Sequence, residues 1–481
     1  MRLSVLAGFA PSGSDPDITG LTADSRAVKP GFLFAALPGA KADGATFARD
    51  AIAKGAVAVL GPPALKGVLG DVPCIIDDNP RLRLAQLAAR FHPRQPATIV
   101  AVTGTNGKTS VASFTRQIWA ALGEKAASFG TVGVVSPSGT LPLSHTTPDP
   151  VEIHRLLDAL AGEGVTHAAF ESSSHGLAQY RVDGVRLRAA GFTNLTRDHL
   201  DYHATFEAYR QAKLRLFTEV LPADGVAVIN ADSSEAAHFV EAARLRGQAL
   251  LRVGVQGDEL RMVARQPSGD GQEVTVSWAG QRHAFRLPLA GEFQASNALV
   301  AAGLVLACGA DAGSVFSALA RLAGAAGRLE KIGTSAAGVP VYVDYAHTPD
   351  ALETVLKALR PHTAGRLWVV FGCGGDRDAG KRPLMGEAAR VLADRVIVTD
   401  DNPRTEDASM IRAAVLKGAT GATEIADRAQ AIAAAVTGAQ AGDVVVIAGK
   451  GHESGQIVGH VVLPFNDADE VRAVIGRTGK A

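Results

Sequence analysis

Apolar and polar positions change their period several times along the chain, and each change marks an element. Ala97-Thr98-Ile99-Val100-Ala101-Val102 is a short, mostly apolar run ending at a glycine turn, and a helical pattern follows over 108–122. Such a run reads as a strand buried on both faces. Residues 166–171, 186–193 and 225–230 read the same way, with a helix over 205–218 between the last two. Residues 250–290 then alternate apolar and polar positions, the period of an antiparallel patch with one wet face. From about 331 a second series begins, with strands at 339–344, 367–371, 395–399 and 443–448. Each is followed by a glycine-rich or acidic turn and, in most cases, a helical pattern. Strands alternating with helices predict parallel sheets covered on both faces, with ligands at the strand carboxyl ends.

Residues 1 to about 94 carry shorter apolar runs punctuated by Gly and Pro, and close on Phe91-His92-Pro93-Arg94-Gln95-Pro96, which reads as a linker. A chain of 481 residues exceeds one ordinary core. Three domains are expected, at 1–94, 95–330 and 331–481. Lys+Arg and Asp+Glu stand at 48 each, so no global field favours a polyanion, and nucleic-acid binding is not expected. Cys74, Cys308 and Cys373 lie far apart, without metal-ligand spacing, and read as reduced thiols. No apolar run reaches the roughly 20 residues that span a bilayer. A cytoplasmic protein without a membrane partner is expected.

The sharpest local signal is Thr103-Gly104-Thr105-Asn106-Gly107-Lys108-Thr109-Ser110, between strand and helix. Backbone N–H groups in such a turn, with the helix N-terminus, make an anion site. Lys108 would neutralise terminal phosphates and the Thr109 hydroxyl would ligate Mg²⁺. Val102 stands where the full phosphate-loop pattern has its first glycine. The fold class is therefore α/β in three domains, with a central P-loop domain on a parallel sheet and a C-terminal Rossmann-like doubly wound sheet; the loop alone does not choose between a kinase, a switch GTPase and an ATP-dependent ligase. Glu171 ends a predicted strand, where a carboxylate suits Mg²⁺, although ordinary strand-end carboxylates are common. His199, after another strand, is a second candidate ligand or a structural histidine. Lys213 falls at i+7 from Phe206 and i+4 from Tyr209, on the apolar face of its helix. It either snorkels to water or is held inside, where carboxylation by CO₂ would make it an anionic ligand.

These residues resemble the Mur ligase family, through motifs spread over nearly the whole chain in the family's order. They include Thr22-Ala23-Asp24-Ser25-Arg26, Gly104 to Ser110, His145-Thr146-Thr147-Pro148-Asp149, Glu171 to Leu177 and Tyr209-Arg210-Gln211-Ala212-Lys213. Further along come Gly327-Arg328-Leu329-Glu330, Asp344 to Pro349, Gly372 to Pro383, Asp401-Asn402-Pro403-Arg404 and Gly449-Lys450-Gly451-His452-Glu453. The resemblance implies an ATP-dependent amide ligase of peptidoglycan synthesis, working through an acyl phosphate with Mg²⁺. Its substrates would be UDP-N-acetylmuramoyl-L-alanyl-D-glutamate and meso-diaminopimelate, and a monomer is expected.

By the same resemblance, Lys108, Glu171, His199 and Lys213 would be catalytic, and Thr109, Glu171, His199 and carbamoylated Lys213 would hold the metal. Gly104, Thr105, Asn106, Gly107, Lys108, Thr109, Ser110, Asn297, Arg328 and Asp344 would bind ATP. Ser25 and the turn at Ala40 to Ala42 would meet the uridine part, and Thr146, Thr147, Ser173, Gln179 and Arg181 the sugar-peptide and pyrophosphate. Arg377, Asp401, Asn402, Pro403, Arg404, Gly449 and Glu453 would hold the amino acid. Gln294 stands where the family has Asn, and Ala40-Lys41 where it has His-Gln. Diaminopimelate differs from lysine by a distal carboxylate, which a guanidinium matches best, and the resemblance gives that role to Arg404. A lysine-adding relative, a folylpolyglutamate synthetase and a nucleotide-dependent switch are the competing readings.

Overall fold

The computed structural model describes residues 1–10, 14–39, 43–196 and 202–478. They form two compact units. The first comprises 1–108, 119–251 and 307–309, and the second 109–118, 252–306 and 310–481. Among the described residues no helix is long and apolar enough to cross a membrane.

The first unit opens with a small parallel sheet of Gly20–Thr22, Phe32–Ala35, Ala58–Gly61 and Cys74–Ile76. Helix Pro80–Phe91 covers it; Asn79 caps that helix by accepting the Leu82 N–H at 3.1 Å, and Pro80 needs no N–H at the first turn. Leu84 and Leu87 join Leu33 and Leu60 in one apolar cluster.

Next comes the larger parallel sheet, in the order Val226–Asn230, Ala189–Phe192, Thr98–Thr103, His167–Glu171 and Ala126–Gly130. Thr98–Thr103 lies at its centre because Ile99 to Val102 have apolar side chains on both faces, all buried. Strand Ala126–Gly130 is absent from the sequence reading, since Ala-Ala-Ser-Phe-Gly has almost no apolar bulk. Its Phe129 pairs with Phe170 in the sheet and stacks on it at 4.0 Å. The helix expected at 205–218 is α-helical only over Phe206–Arg215 and continues as one π turn, Leu216–Val220. The expected strand at 186–193 narrows to Ala189–Phe192.

In the second unit, Leu260–Ser268, Gly271–Trp278 and Gln281–Leu287 form the expected antiparallel meander. The C-terminal sheet runs Glu330–Thr334, Pro340–Asp344, Val444–Ala448, Leu367–Phe371, Arg395–Val398 and Thr423–Glu424, parallel except at the first strand. Alternate strand residues face opposite cores. Val444 and Val446 pack with Leu352, Met385 and Ile411 of three helices, while Val445 and Ile447 pack with Ile432, Val436 and Val471 of two others. This is a doubly wound sheet. Its loops 345–348, 372–380, 399–407 and 449–454 leave the carboxyl ends of four strands.

Candidate active site

The phosphate loop is clamped by the segment after strand Ala189–Phe192. The Asn194 backbone oxygen accepts from Thr105 N–H (2.8 Å), and its Oδ1 accepts from Asn106 N–H (3.0 Å). Thr193 Oγ1 donates to Asn106 O at 2.6 Å. Gly104 has φ +153°, and a β-carbon there would lie 1.9 Å from Thr193 Oγ1, so the loop closes only on glycine. Lys108 Nζ folds back to donate to Gly104 O (2.9 Å) and Thr105 O (2.8 Å). Gly107 has φ +88°, and Thr109 and Ser110, both buried, continue into helix Lys108–Ala121.

Lys213 reaches this loop from helix Phe206–Arg215. It is 1% exposed, and Nζ donates to Gly104 O at 2.7 Å and lies 4.7 Å from the Tyr209 ring. The snorkelling alternative is therefore excluded by geometry. Tyr209 in turn hydrogen-bonds Thr105 Oγ1 through its hydroxyl (3.1 Å).

Glu171 is 2% exposed at the end of its strand. Its Oε1 accepts from Thr131 N–H (2.9 Å) and its Oε2 from Thr131 Oγ1 (3.3 Å). A β-carbon at Gly130 would meet Oε1 at 1.8 Å, which explains that glycine. From Glu171 a polar track runs through the residues read as substrate-binding. Thr131 Oγ1 meets Thr146 Oγ1 at 3.0 Å, Thr147 Oγ1 donates to Glu171 O, and Ser173 N–H donates to Thr147 Oγ1. Arg181 donates to Thr147 O (2.7 Å) and to Gln179 Oε1 (2.8 Å). Asp149, two residues beyond Thr147, caps helix Pro150–Gly162 and lines a cavity of about 840 Å³. Ser25, Arg26, Phe47, Glu152 and Arg155 line the same cavity.

The second unit holds the other two groups. Gln294 Nε2 donates to Arg328 O (2.8 Å) and its Oε1 accepts from Asn297 Nδ2 (3.4 Å), so the residue that departs from the family pattern joins two expected nucleotide contacts. The Arg328 guanidinium stacks 4.6 Å from the Tyr345 ring. Asp344 accepts from Leu329 N–H (2.6 Å) and Ala346 N–H (2.7 Å). Burial nevertheless pushes its carboxyl up to about 6, against the pull of Arg328 and those bonds. Burial also holds His452 down at about 4, helped by Arg328.

The loops expected to hold the amino acid meet around three glycines. A β-carbon at Gly375 would lie 1.9 Å from Pro403 O, one at Gly374 2.7 Å from Arg404 Nη1, and one at Gly449 2.7 Å from Asp401 Oδ2. Arg404 has φ +51°, a conformation L-residues rarely hold. It is fixed by Arg404 N–H to Ile457 O (3.0 Å), Gly459 N–H to Arg404 O (2.7 Å) and Nη1 to Gly375 O (2.8 Å). Asn402 Nδ2 donates to Glu453 Oε2 at 2.9 Å. Arg377 is exposed beside Gly374. His199 and the turn 40–42 lie outside the described residues, so the structure does not place them.

Three family models match in chain order: "Mur ligase family, catalytic domain" over 17–92, "Mur ligase middle domain" over 102–305, and "Mur ligase, glutamate ligase domain" over 327–451. A protein of Bradyrhizobium diazoefficiens named UDP-N-acetylmuramoyl-L-alanyl-D-glutamate--2,6-diaminopimelate ligase is 56% identical over 473 residues, covering 98% of this chain and 97% of its own. The chain belongs to the Mur ligase family. A Caulobacter vibrioides protein of the same name is 56% identical over 466 residues, 96% of each chain. A solved structure carrying that name superposes with TM-score 0.76 at 36% identity, covering 100% of this chain and 99% of its own. A folylpolyglutamate synthase of Mycobacterium tuberculosis complexed with ADP, at 21% identity, TM-score 0.61 and coverage of 77% and 91%, shares the fold.

Several residues of these loops and of the cavity carry little sequence signal of their own. Thr131 and Thr193-Asn194 act through short polar contacts with no motif of their own. Glu152 and Arg155 read as ordinary surface charges until the cavity joins them to Arg26 of the Thr22–Arg26 motif. Lys450 stands inside the Gly449–Glu453 motif without a pattern of its own, and Arg428 has no sequence signal.

Proposed function

We propose that this Mur ligase joins meso-diaminopimelate to the D-glutamate γ-carboxylate of UDP-N-acetylmuramoyl-L-alanyl-D-glutamate, cleaving ATP to ADP and phosphate. It would work as a monomer in the cytoplasm, with domain boundaries near residues 94 and 330. Near-full-length identity to relatives of that name supports the reaction. The observation that carries the amino-acid choice is Arg404, held at positive φ with its guanidinium packed against Gly374 and Nη1 alone hydrogen-bonded among the described residues.

In this reading the cavity beside Ser25 and Arg155 takes the uridine end, and Thr146, Thr147, Ser173, Gln179 and Arg181 take the pyrophosphate and sugar-peptide. The γ-carboxylate attacks the terminal phosphorus of ATP; a C–O–P bond forms and the P–O bond to ADP breaks. The amine of diaminopimelate then adds to the acyl carbon, loses its proton, and phosphate leaves. Loop N–H groups at 104–108 and Lys108 neutralise charge developing on the phosphoryl oxygens. Asn297, Arg328 and Asp344 hold the adenine nucleotide.

A divalent ion fits the donor set. Glu171 is a buried carboxylate, Thr109 offers a hydroxyl, and Lys213 presents a desolvated amine that CO₂ would convert to an anionic carbamate. Together with His199 they would hold Mg²⁺, which when bound neutralises phosphate oxygens. The test is ADP release across an amino-acid panel. Release should require the UDP-linked dipeptide and be strong with diaminopimelate and weak with lysine; efficient use of lysine would overturn the substrate assignment.

A further inference from the structure

Lys450 has no solvent exposure. Its ammonium donates to Asn402 Oδ1 (2.9 Å) and Glu453 Oε2 (3.1 Å). Asn402 Oδ1 also accepts from Ile457 N–H at 3.0 Å. With two donors converging on one end of the amide, that end must be the oxygen; the reversed amide would set N–H against both. The Nδ2 end is thereby turned to Glu453 Oε2 at 2.9 Å. The three side chains close a triangle, and Oε2 takes both donors. Among the described residues no hydrogen bond reaches Glu453 Oε1, and this side chain is 32% exposed.

The backbone of these loops is anchored without the Lys450 side chain. Arg428, fully buried, donates to Ala448 O (2.9 Å) and Asp400 O (3.3 Å), the residues just before the two loops. Asp467, also fully buried, balances it through two bonds of 2.7 Å. Gly375 N–H to Asn402 O (2.9 Å) and Glu453 N–H to Lys450 O (3.0 Å) complete the frame. A buried ion pair is a poor device for stability, since apolar residues in place of both partners often do as well, and the Glu453 carboxylate, 32% exposed, can be rehydrated when the ammonium is removed. A cation at 450 therefore needs another reason.

We propose that Lys450 is a positioning residue of the amino-acid site: it locks the Asn402 amide and the Glu453 carboxylate in one orientation and leaves Glu453 Oε1 to receive the ammonium of the incoming amino acid. The inference rests on the reading that loops 401–404 and 449–453 hold that amino acid. Without the ammonium, Glu453 loses its strongest partner and Asn402 loses half of what sets its polarity.

The experiment compares Lys450→Met, Lys450→Arg and Arg404→Ala in the full-length enzyme, measuring KM for diaminopimelate, ATP and the UDP-linked dipeptide, with kcat and Tm. Lys450→Met should raise the diaminopimelate KM about tenfold or more, with the other two KM values within about twofold and Tm within a few degrees. Lys450→Arg keeps the charge in a bulkier fork, so it should fold and give an intermediate diaminopimelate KM. An unchanged diaminopimelate KM in both variants overturns the proposal. So do three KM values rising together with a fall in Tm, or a Lys450→Met chain that does not fold, because each makes the role structural. If Arg404→Ala raises the diaminopimelate KM and the Lys450 variants do not, the clasp fails and the site reading stands. If none of the three moves it, the site reading itself fails.

Discussion

A lysine on the apolar face of a helix can reach water along that face or find a partner inside. Lys213 takes the second course, with Nζ on Gly104 O. Its position on the face was legible from Phe206 and Tyr209. Its partner was not, because Gly104 lies 109 residues away and only the folded sheet brings the two together. The same holds for Glu171: the carboxylate at a strand end was legible, but the Thr131 that holds it belongs to a turn without a pattern. Two substitutions test these residues. Lys213→Ala should lower ligation by on the order of 10²–10³-fold, with partial recovery on adding short carboxylic acids, measured as ADP release. Full activity in that variant would remove Lys213 from the chemistry. Lys108→Ala should cost about 3 kcal/mol of transition-state stabilisation while leaving affinity for the UDP-linked dipeptide within a few-fold. Loss of dipeptide binding with ATP turnover intact would reassign the loop.

At the scale of elements, strands rich in Val and Ile declared themselves because both faces are buried, as in Val444–Ala448 with its five buried residues. Strands made of small residues, such as Ala126–Gly130, and exposed hairpins such as Gly455–Val458 with Val461–Pro464, gave no such signal. The hairpin matters, since Ile457 and Gly459 hold the backbone of Arg404 in its positive-φ conformation. That loop carries the specificity prediction. Losing one side of a desolvated charge pair costs about 2–5 kcal/mol, because the partner carboxylate is left unpaired. Arg404→Ala should therefore weaken diaminopimelate use by roughly 30-fold or more, at about 1.4 kcal/mol per tenfold. Lysine, which lacks the distal carboxylate, should lose much less, and the preference ratio should collapse. Arg404→Lys should recover only part, since an ammonium cannot make the two-pronged contact. Equal losses for both amino acids in kcat/KM would make Arg404 a structural residue.

For the molecule as a whole, balanced charge conceals groups that oppose one another as pH falls. His154 is fully buried on helix Pro150–Gly162, with Nε2 donating to Asp183 O at 3.0 Å. The Asp183 carboxylate is already taken by Arg215 at 2.6 and 2.9 Å, so no anion is left to stabilise an imidazolium. Burial, His92 and Arg186 together hold His154 down at about 4, the Asp183 carbonyl only partly offsetting them. An unfolded histidine takes its proton near 6.5. Between these values the unfolded chain binds more protons, so the stability linked to His154 is complete above about 6.5 and is lost as pH falls towards 4. Asp344 has the opposite sign. With its carboxyl raised to about 6, the folded form takes the proton first, and acidification through that range relieves a cost. The two partly cancel in any global measurement, so only a comparison of variants isolates either. His154→Gln keeps a donor for Asp183 O and cannot protonate. Between pH 7 and pH 5 it should lose about 2 kcal/mol less stability than the parent protein, at about 1.4 kcal/mol per pKa unit. Urea unfolding followed at both pH values reads this double difference directly. Parallel pH slopes for parent and variant would mean that His154 is protonated in the fold as easily as in the open chain, and that its burial is not what the packing around Asp183 implies.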